Sequence, residues 1–238
     1  MLSIIIPCLN EELLIKKTFN EVFKALKICK IIKYEIIFID DGSTDKSALI
    51  IKNISKSNKK IKFLSNKRNF GIGYNFFKGV KSSKGQYLIQ IPSDNSHPAS
   101  QISKILKCIN SKYDIVTTYY SNNNQRSFFR NLFTLLYTPF LNFLYGTNFP
   151  YFNGLTLYKA KDLKNLTFKN SSFSYQIEIF VYLHYKYSPS IKIIPTILKD
   201  RKKGSKAFRL KNSILVVFSV AKVFIRSIKY RLSNFFDK

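Results

Sequence analysis

Three short stretches of this chain place carboxylates and amides where chemistry could be done. Asp40, Asp41 and Asp45 close the run Ile-Ile-Phe-Ile-Asp-Asp-Gly-Ser-Thr-Asp over 36–45, Asn10 and Glu11 follow Ile-Ile-Ile-Pro-Cys-Leu, and Asp94 stands in Pro-Ser-Asp-Asn-Ser-His-Pro over 92–98. Three charges have no packing use in a Gly-Ser turn, because burying unpaired charge is costly. Carboxylates placed so can hold a divalent metal or accept hydrogen bonds from a base and from sugar hydroxyls, whereas bare phosphate is repelled. The plainer use of the middle turn is to cap the next helix through Thr44 or Asp45.

The elements that must carry these turns can be read from the apolar pattern. Leu2–Ile6 and Ile36–Ile39 are apolar without alternation, as expected of strands covered on both faces. A helix is expected from about Glu12 to Lys30 with acidic residues in its first turn, another near Lys46–Ser57, then strand Ile61–Leu64, strand Tyr87–Ile91, a helix around Ser100–Ile109 and strand Asp114–Thr118. Alternating strand and helix gives an α/β fold with a mostly parallel sheet, in which all three polar turns meet at the carboxyl edge. Gly71-Ile72-Gly73 lacks the third glycine of a dinucleotide fingerprint.

Beyond Tyr120 the character changes. Arg126 and Arg130 introduce a stretch free of charge until Lys159, rich in Phe and Leu but broken by Pro139, Gly146 and Pro150, which fits a helix at a bilayer surface or over the core better than a membrane span. Phe173–Tyr185 holds Glu178, Ile191–Ile197 reads as a strand, and Arg201-Lys202-Lys203-Gly204-Ser205-Lys206 is a basic turn. Residues 211–235 form an amphipathic helical pattern, with Lys211, Lys222, Arg226 and Lys229 opposite Val217, Ala221, Phe224, Ile225, Ile228, Leu232 and Phe235; it suits an anionic membrane surface, or docking on its own domain.

Of 238 residues, 40 are Lys or Arg and 13 Asp or Glu, a formal charge of +27. That excess is diffuse, no nucleic-acid recognition motif accompanies it, and strand-end carboxylates would repel a phosphate backbone, so nucleic acid is not the expected partner. Cys8, Cys29 and Cys108 have neither the count nor the spacing of a disulfide framework or zinc site. The opening Met-Leu-Ser-Ile-Ile-Ile-Pro has no basic leader, so no signal peptide is expected.

With these residues in view, the chain resembles the family 2 glycosyltransferases of the GT-A fold, and within them the polyprenyl-phosphate sugar synthases. Residues 4–11, Ile-Ile-Ile-Pro-Cys-Leu-Asn-Glu, look like the family's opening strand and nucleotide turn, and 39–45 like its second acidic turn. The resemblance covers about 1–210. It implies a GT-A domain over 1–207, with a nucleotide-sugar half (1–120) and an acceptor half (121–207), followed by the basic amphipathic helix over 208–238. Pro7, Leu9, Asn10, Glu11, Asp40 and Asp41 would bind the donor nucleotide. The family's metal-binding Asp-x-Asp aligns with Pro92-Ser93-Asp94, leaving Ser93 as a donor contact and Asp94 alone to hold Mg²⁺ or Mn²⁺. Arg201 with Gly204, Ser205 and Lys206 resembles the family's basic acceptor loop with one residue fewer, and Lys203 joins it in binding phosphate.

The resemblance further implies an inverting enzyme with Asp94, Glu178 and Arg201 as catalytic residues and Arg126 and Arg130 as basic contacts. It would move a hexose from a UDP- or GDP-sugar to a polyprenyl phosphate, peripherally at the cytoplasmic face of a membrane. A phosphate acceptor is already ionised and needs no general base; a hydroxyl acceptor would need one, from Glu178, Asp94 or His97. The alternatives are transfer to a saccharide hydroxyl in surface-polysaccharide assembly and an inactive membrane-bound relative.

Overall fold

The computed structural model describes residues 1–121, 128–149, 151–164, 166, 174–199, 218, 220–228 and 230, with side chains in the helix from 128 described from 136 onward. Its seven-stranded sheet has the order β3-β2-β1-β4-β6-β5-β7. Strand β1 (Leu2–Cys8) is buried throughout and pairs in parallel with β2 (Tyr34–Asp40) and β4 (Tyr87–Gln90). Strand β3 (Ile61–Ser65) adds in parallel to β2. On the other side β6 (Thr156–Lys159) runs antiparallel to both β4 and β5 (Ile115–Tyr120), and β7 (Ile191–Thr196) is parallel to β5. Hence β5 points the same way as β4, and the ends of β1, β2, β4 and β5 share one edge.

The unalternating apolar strands are explained by two cores, one on each face. Leu2, Ile4 and Ile6 point into one with Ile36 and Phe38; Ile5, Ile37 and Ile39 point into the other. Period-2 geometry sends successive side chains to opposite faces, so a strand covered twice is apolar at every position. Helices α1 (Ile15–Ile28), α2 (Ser47–Lys56) and α4 (Ala99–Leu106) supply the first core through Val22, Ile51 and Ile102. Helices α3 (Ile72–Ser82), α5 (Phe128–Tyr145), α6 (Ala160–Lys164) and α7 (Tyr175–Tyr187) supply the second through Phe76, Leu141, Leu163 and Phe180.

One expectation changes, and one open choice is narrowed. The first helix begins at Ile15 rather than Glu12 and has no acidic residue in its first turn, because Asn10–Glu12 are held in the preceding turn by bonds to the β2 turn. The C-terminal segment, helical at 218, 220–228 and 230, docks on the domain itself. Val220, Val223 and Ser227 are buried, Phe224 and Tyr230 pack on the second core, and the Tyr145 hydroxyl donates to Val220 O at 3.0 Å. Arg226, expected on the basic face of this helix, pairs with Glu178 of α7, which is 1% exposed. A carboxylate buried so deeply requires a cation or hydrogen-bond donors. Ile225 and Ile228 stay exposed, as do Leu136, Phe140 and Phe143 along α5. Among the described residues no helix is long and apolar enough to cross a membrane.

Helix α3 lies so close to β1 that a Cβ at Gly79 would stand 2.6–2.8 Å from the Ile5 side chain. Alanine normally favours a helix over glycine, but here Gly79→Ala is expected to cost about 1–3 kcal/mol by overpacking. In urea unfolding, combining it with Ile5→Ala should cost at least about 1 kcal/mol less than the sum of the single changes.

Candidate functional site

The order β3-β2-β1-β4 reverses direction between β1 and β4, and open α/β sheets bind ligands at such a point beyond the strand ends. The turns after β1 and β2 are laced together there. Asn10 N–H donates to Ser43 Oγ at 3.0 Å, Thr44 N–H to Asn10 Oδ1 at 2.8 Å, Glu11 N–H to Ser47 Oγ at 2.8 Å, and Glu12 N–H to Asp45 Oδ2 at 3.1 Å. Lys46 N–H returns to Glu12 Oε2 at 2.9 Å. Asn10 adopts the left-handed region (φ 54) that this lacing needs and that asparagine tolerates. Asp45 therefore serves the turn and the start of α2, accepting Ser47 N–H at 2.9 Å. Burial pushes its carboxyl up, but these hydrogen bonds outweigh it and hold it below the ordinary value.

Asp40 and Asp41 are each 3% exposed and fare differently. Asp41 Oδ1 accepts Asn66 Nδ2–H at 2.8 Å and Phe70 N–H at 2.9 Å, and its Oδ2 accepts Gly71 N–H at 3.0 Å. The loop after β3 thus folds over the end of β2. Gly42, at φ +74, is required beneath it, since a Cβ there would come within 2.7 Å of the Arg68 backbone. On this loop Arg68 lies over the Phe70 ring at 5.2 Å and Phe70 stacks on Tyr74 at 4.8 Å. Asp40 has only Ser43 N–H, at 3.3 Å, on Oδ2, and its buried Oδ1 has no hydrogen-bond partner among the described residues.

Asp94 projects from the turn after β4, half-buried, with Oδ1 accepting Ser96 Oγ–H at 2.6 Å and Ser96 N–H at 3.1 Å. Its neighbour Ser93 is buried. His97 is buried behind it against Tyr120 at the end of β5; burial lowers its pKa to about 4, against the opposing pull of Asp94. Cys8, also buried at this edge, has its thiol pushed up to about 11, first by burial. Among the described residues no three His, Cys, Asp or Glu side chains gather into a metal cage.

The structure thus gathers Pro7, Leu9, Asn10, Glu11, Asp40, Asp41, Ser93 and Asp94 at one edge. Glu178 sits in the second core, on the Arg226 pair. Arg126, Arg201, Lys203, Ser205 and Lys206 lie outside the described residues, as does the side chain of Arg130. Sequence reading missed Asn66, Phe70 and Gly71 as the holders of Asp41. The polar Asn69-Phe70-Gly71 turn after a strand was their signal. It also missed Thr18, whose hydroxyl meets the backbone on both sides of Asp94.

A mostly parallel sheet whose strand order reverses at β1/β4, covered by helices on both faces and edged by acidic turns, defines a doubly wound α/β protein. The family model described as Glycosyl transferase family 2 matches residues 3–167, well over half of the chain, and the chain belongs to that family. The undecaprenyl-phosphate 4-deoxy-4-formamido-L-arabinose transferase of Photorhabdus laumondii is 35% identical over 136 residues, 54% of this chain and 39% of that relative. This chain spans less than half the length of the curated relatives it matches. In shape it is similar to glucosyl-3-phosphoglycerate synthase from Mycobacterium tuberculosis, solved with Mn²⁺, UDP-glucose and phosphoglyceric acid: TM-score 0.65, 15% identity, 98% of this chain and 79% of that one. S. aureus TarS, solved with UDP-GlcNAc, gives a TM-score of 0.65 at 16% identity, over 95% of this chain and 66% of that one. The fold is the GT-A arrangement these structures share.

Adjacent carboxylates should respond oppositely to neutralisation. In Asp41→Asn one amide hydrogen must face a backbone or amide donor in either flip, at an expected cost of about 1–3 kcal/mol. Asp40→Asn relieves a buried charge with a single weak contact and is expected to leave stability unchanged or raise it, within about 0.5 kcal/mol. Urea unfolding of the two variants measures both.

Proposed function

We propose that this chain transfers a sugar from a nucleotide-diphosphate sugar to a polyprenyl phosphate at a membrane surface. The observation that carries the reading is the convergence of Asp40, Asp41 and Asp94 on the switch-point edge of the sheet. Carboxylates at the ends of β1 and β2 suit the base and ribose, which bring hydrogen-bond donors. Asp94, further along the edge on the β4 side, suits the diphosphate end. There Pro92 leaves one carboxylate where two are common, which fits an ion held jointly by Asp94 and the donor's own phosphate oxygens rather than by a protein cage. Such an ion would neutralise charge on the departing diphosphate. Pro7, Leu9, Asn10 and Glu11 complete the donor side in this reading, and Arg126, Arg130, Arg201, Lys203, Ser205 and Lys206 are assigned to phosphate by their chemistry.

The acceptor is argued from two further features. His97 is buried and Glu178 is engaged by Arg226, which favours an acceptor that arrives ionised over a hydroxyl needing a base. Leu136, Phe140 and Phe143 recur at i, i+4 and i+7 on α5, with Phe143 88% exposed, and present an apolar stripe in a chain of charge +27. An apolar stripe on a basic protein suits an anionic lipid surface, where a polyprenyl phosphate resides. The homologous undecaprenyl-phosphate transferase supports this choice.

Calorimetry with UDP-glucose and GDP-mannose should show binding strengthened by Mg²⁺ or Mn²⁺ and weakened by EDTA. Asp94→Ala should weaken it by roughly 10- to 100-fold. No binding under any metal condition would defeat the donor assignment. Sedimentation with vesicles containing anionic lipid, repeated for Leu136→Ser/Phe143→Ser, checks the membrane part; equal binding by both proteins would defeat it.

A further inference from the structure

Asp94 lies between two residues gripped by one hydroxyl. Thr18 of α1, 2% exposed, donates to Ser93 O at 2.8 Å and accepts Asn95 N–H at 2.9 Å. Asn95 itself is left-handed, at φ 55, a conformation asparagine tolerates, so the turn closes without strain at that residue. One turn along the same face of α1, Glu21 accepts Ala99 N–H at 2.6 Å and the Lys199 ammonium at 2.9 Å. Lys199 passes the restraint on, because its backbone N–H donates to Ser96 O at 2.9 Å, and Ser96 holds the Asp94 carboxylate. Burial raises the Glu21 carboxyl, yet the bonds from Lys199 and Ala99 keep it below its ordinary value and charged at neutral pH.

We infer that Thr18 and Glu21 are positioning residues for the Asp94 turn, fixing where its carboxylate meets the diphosphate of the donor. This rests on the donor-binding reading and adds residues that touch no ligand. Packing of α1 against the turn would be served as well by valine at 18; only a hydroxyl can give one bond and take another at the two peptides flanking Asp94. With Pro92 in place of a second carboxylate, Asp94 is the one carboxylate of this turn that can meet the diphosphate end, so a displacement of Asp94 is felt there directly.

The test titrates UDP-glucose and UMP, and in parallel GDP-mannose and GMP, with Mn²⁺ into the wild type, Thr18→Val, Thr18→Ser and Lys199→Met. Melting temperatures are recorded for each. Thr18→Val is expected to weaken nucleotide-sugar binding roughly tenfold while leaving the monophosphate within about twofold, because the latter is read mainly at the β1 and β2 turns. Thr18→Ser, which keeps the hydroxyl, should return to within about threefold of wild type, and Lys199→Met should lose about threefold with the same selectivity. Equal losses for both ligands, or none in Thr18→Val and Lys199→Met, would overturn the positioning role. If Thr18→Val fails to fold, the serine and methionine variants decide the matter. A wild type that binds neither pair overturns the donor reading itself, a separate outcome.

Discussion

A carboxylate 3% exposed is largely cut off from water and gains from protein donors in its place, and at Asp41 those donors shape the turns at the end of β2. Its donors are Asn66 and the backbone of Phe70 and Gly71, so the chain leaving β3 must turn back across the end of β2 before α3 can begin. Asn66 is pinned in turn, by donating to Asn75 at 2.7 Å and accepting the Lys78 ammonium at 2.6 Å. Gly42 is needed because that loop presses on the turn. From one buried charge follow the loop, the start of α3 and the floor on which Arg68, Phe70 and Tyr74 stand.

Asp40 next to it receives far less, one contact at 3.3 Å. Folding gains little from a group bonded so sparingly. Asp45 is engaged by the Glu12 and Ser47 N–H groups, and Asp94 by the Ser96 hydroxyl and N–H on one oxygen. Set in a chain of charge +27, these few carboxylates mark a local acidic edge inside a basic field.

The second buried charge, Glu178, organises the far side of the molecule. Its partner Arg226 comes from the C-terminal helical segment, so an ion pair joins that segment to α7 while Val220 and Val223 fill the core beside it. Removing Arg226 would take a cation from a carboxylate 1% exposed, whereas Arg226, its side chain 41% exposed, keeps water as an alternative partner. The described part of the segment thus packs on the domain, with Phe218, Ile225 and Ile228 exposed on it and Leu136, Phe140 and Phe143 exposed on α5.

Local chemistry made much of this legible in the sequence. Runs such as Ile36–Ile39 are apolar at every position only if both faces are covered, and acidic turns after such runs declare the ligand edge. Strand β6 escaped because four residues, Thr-Leu-Tyr-Lys, carry too little pattern to be seen. The sequence by itself determined the strand-helix alternation and the location of the carboxylates, since these depend on residue type and spacing alone. Only the tertiary structure decided which carboxylates are spent on the fold and which are kept. Hydrogen bonds such as Thr18 to Ser93 and ion pairs such as Arg226 to Glu178 join residues 75 and 48 positions apart, and no local pattern records which distant partner a polar group will find.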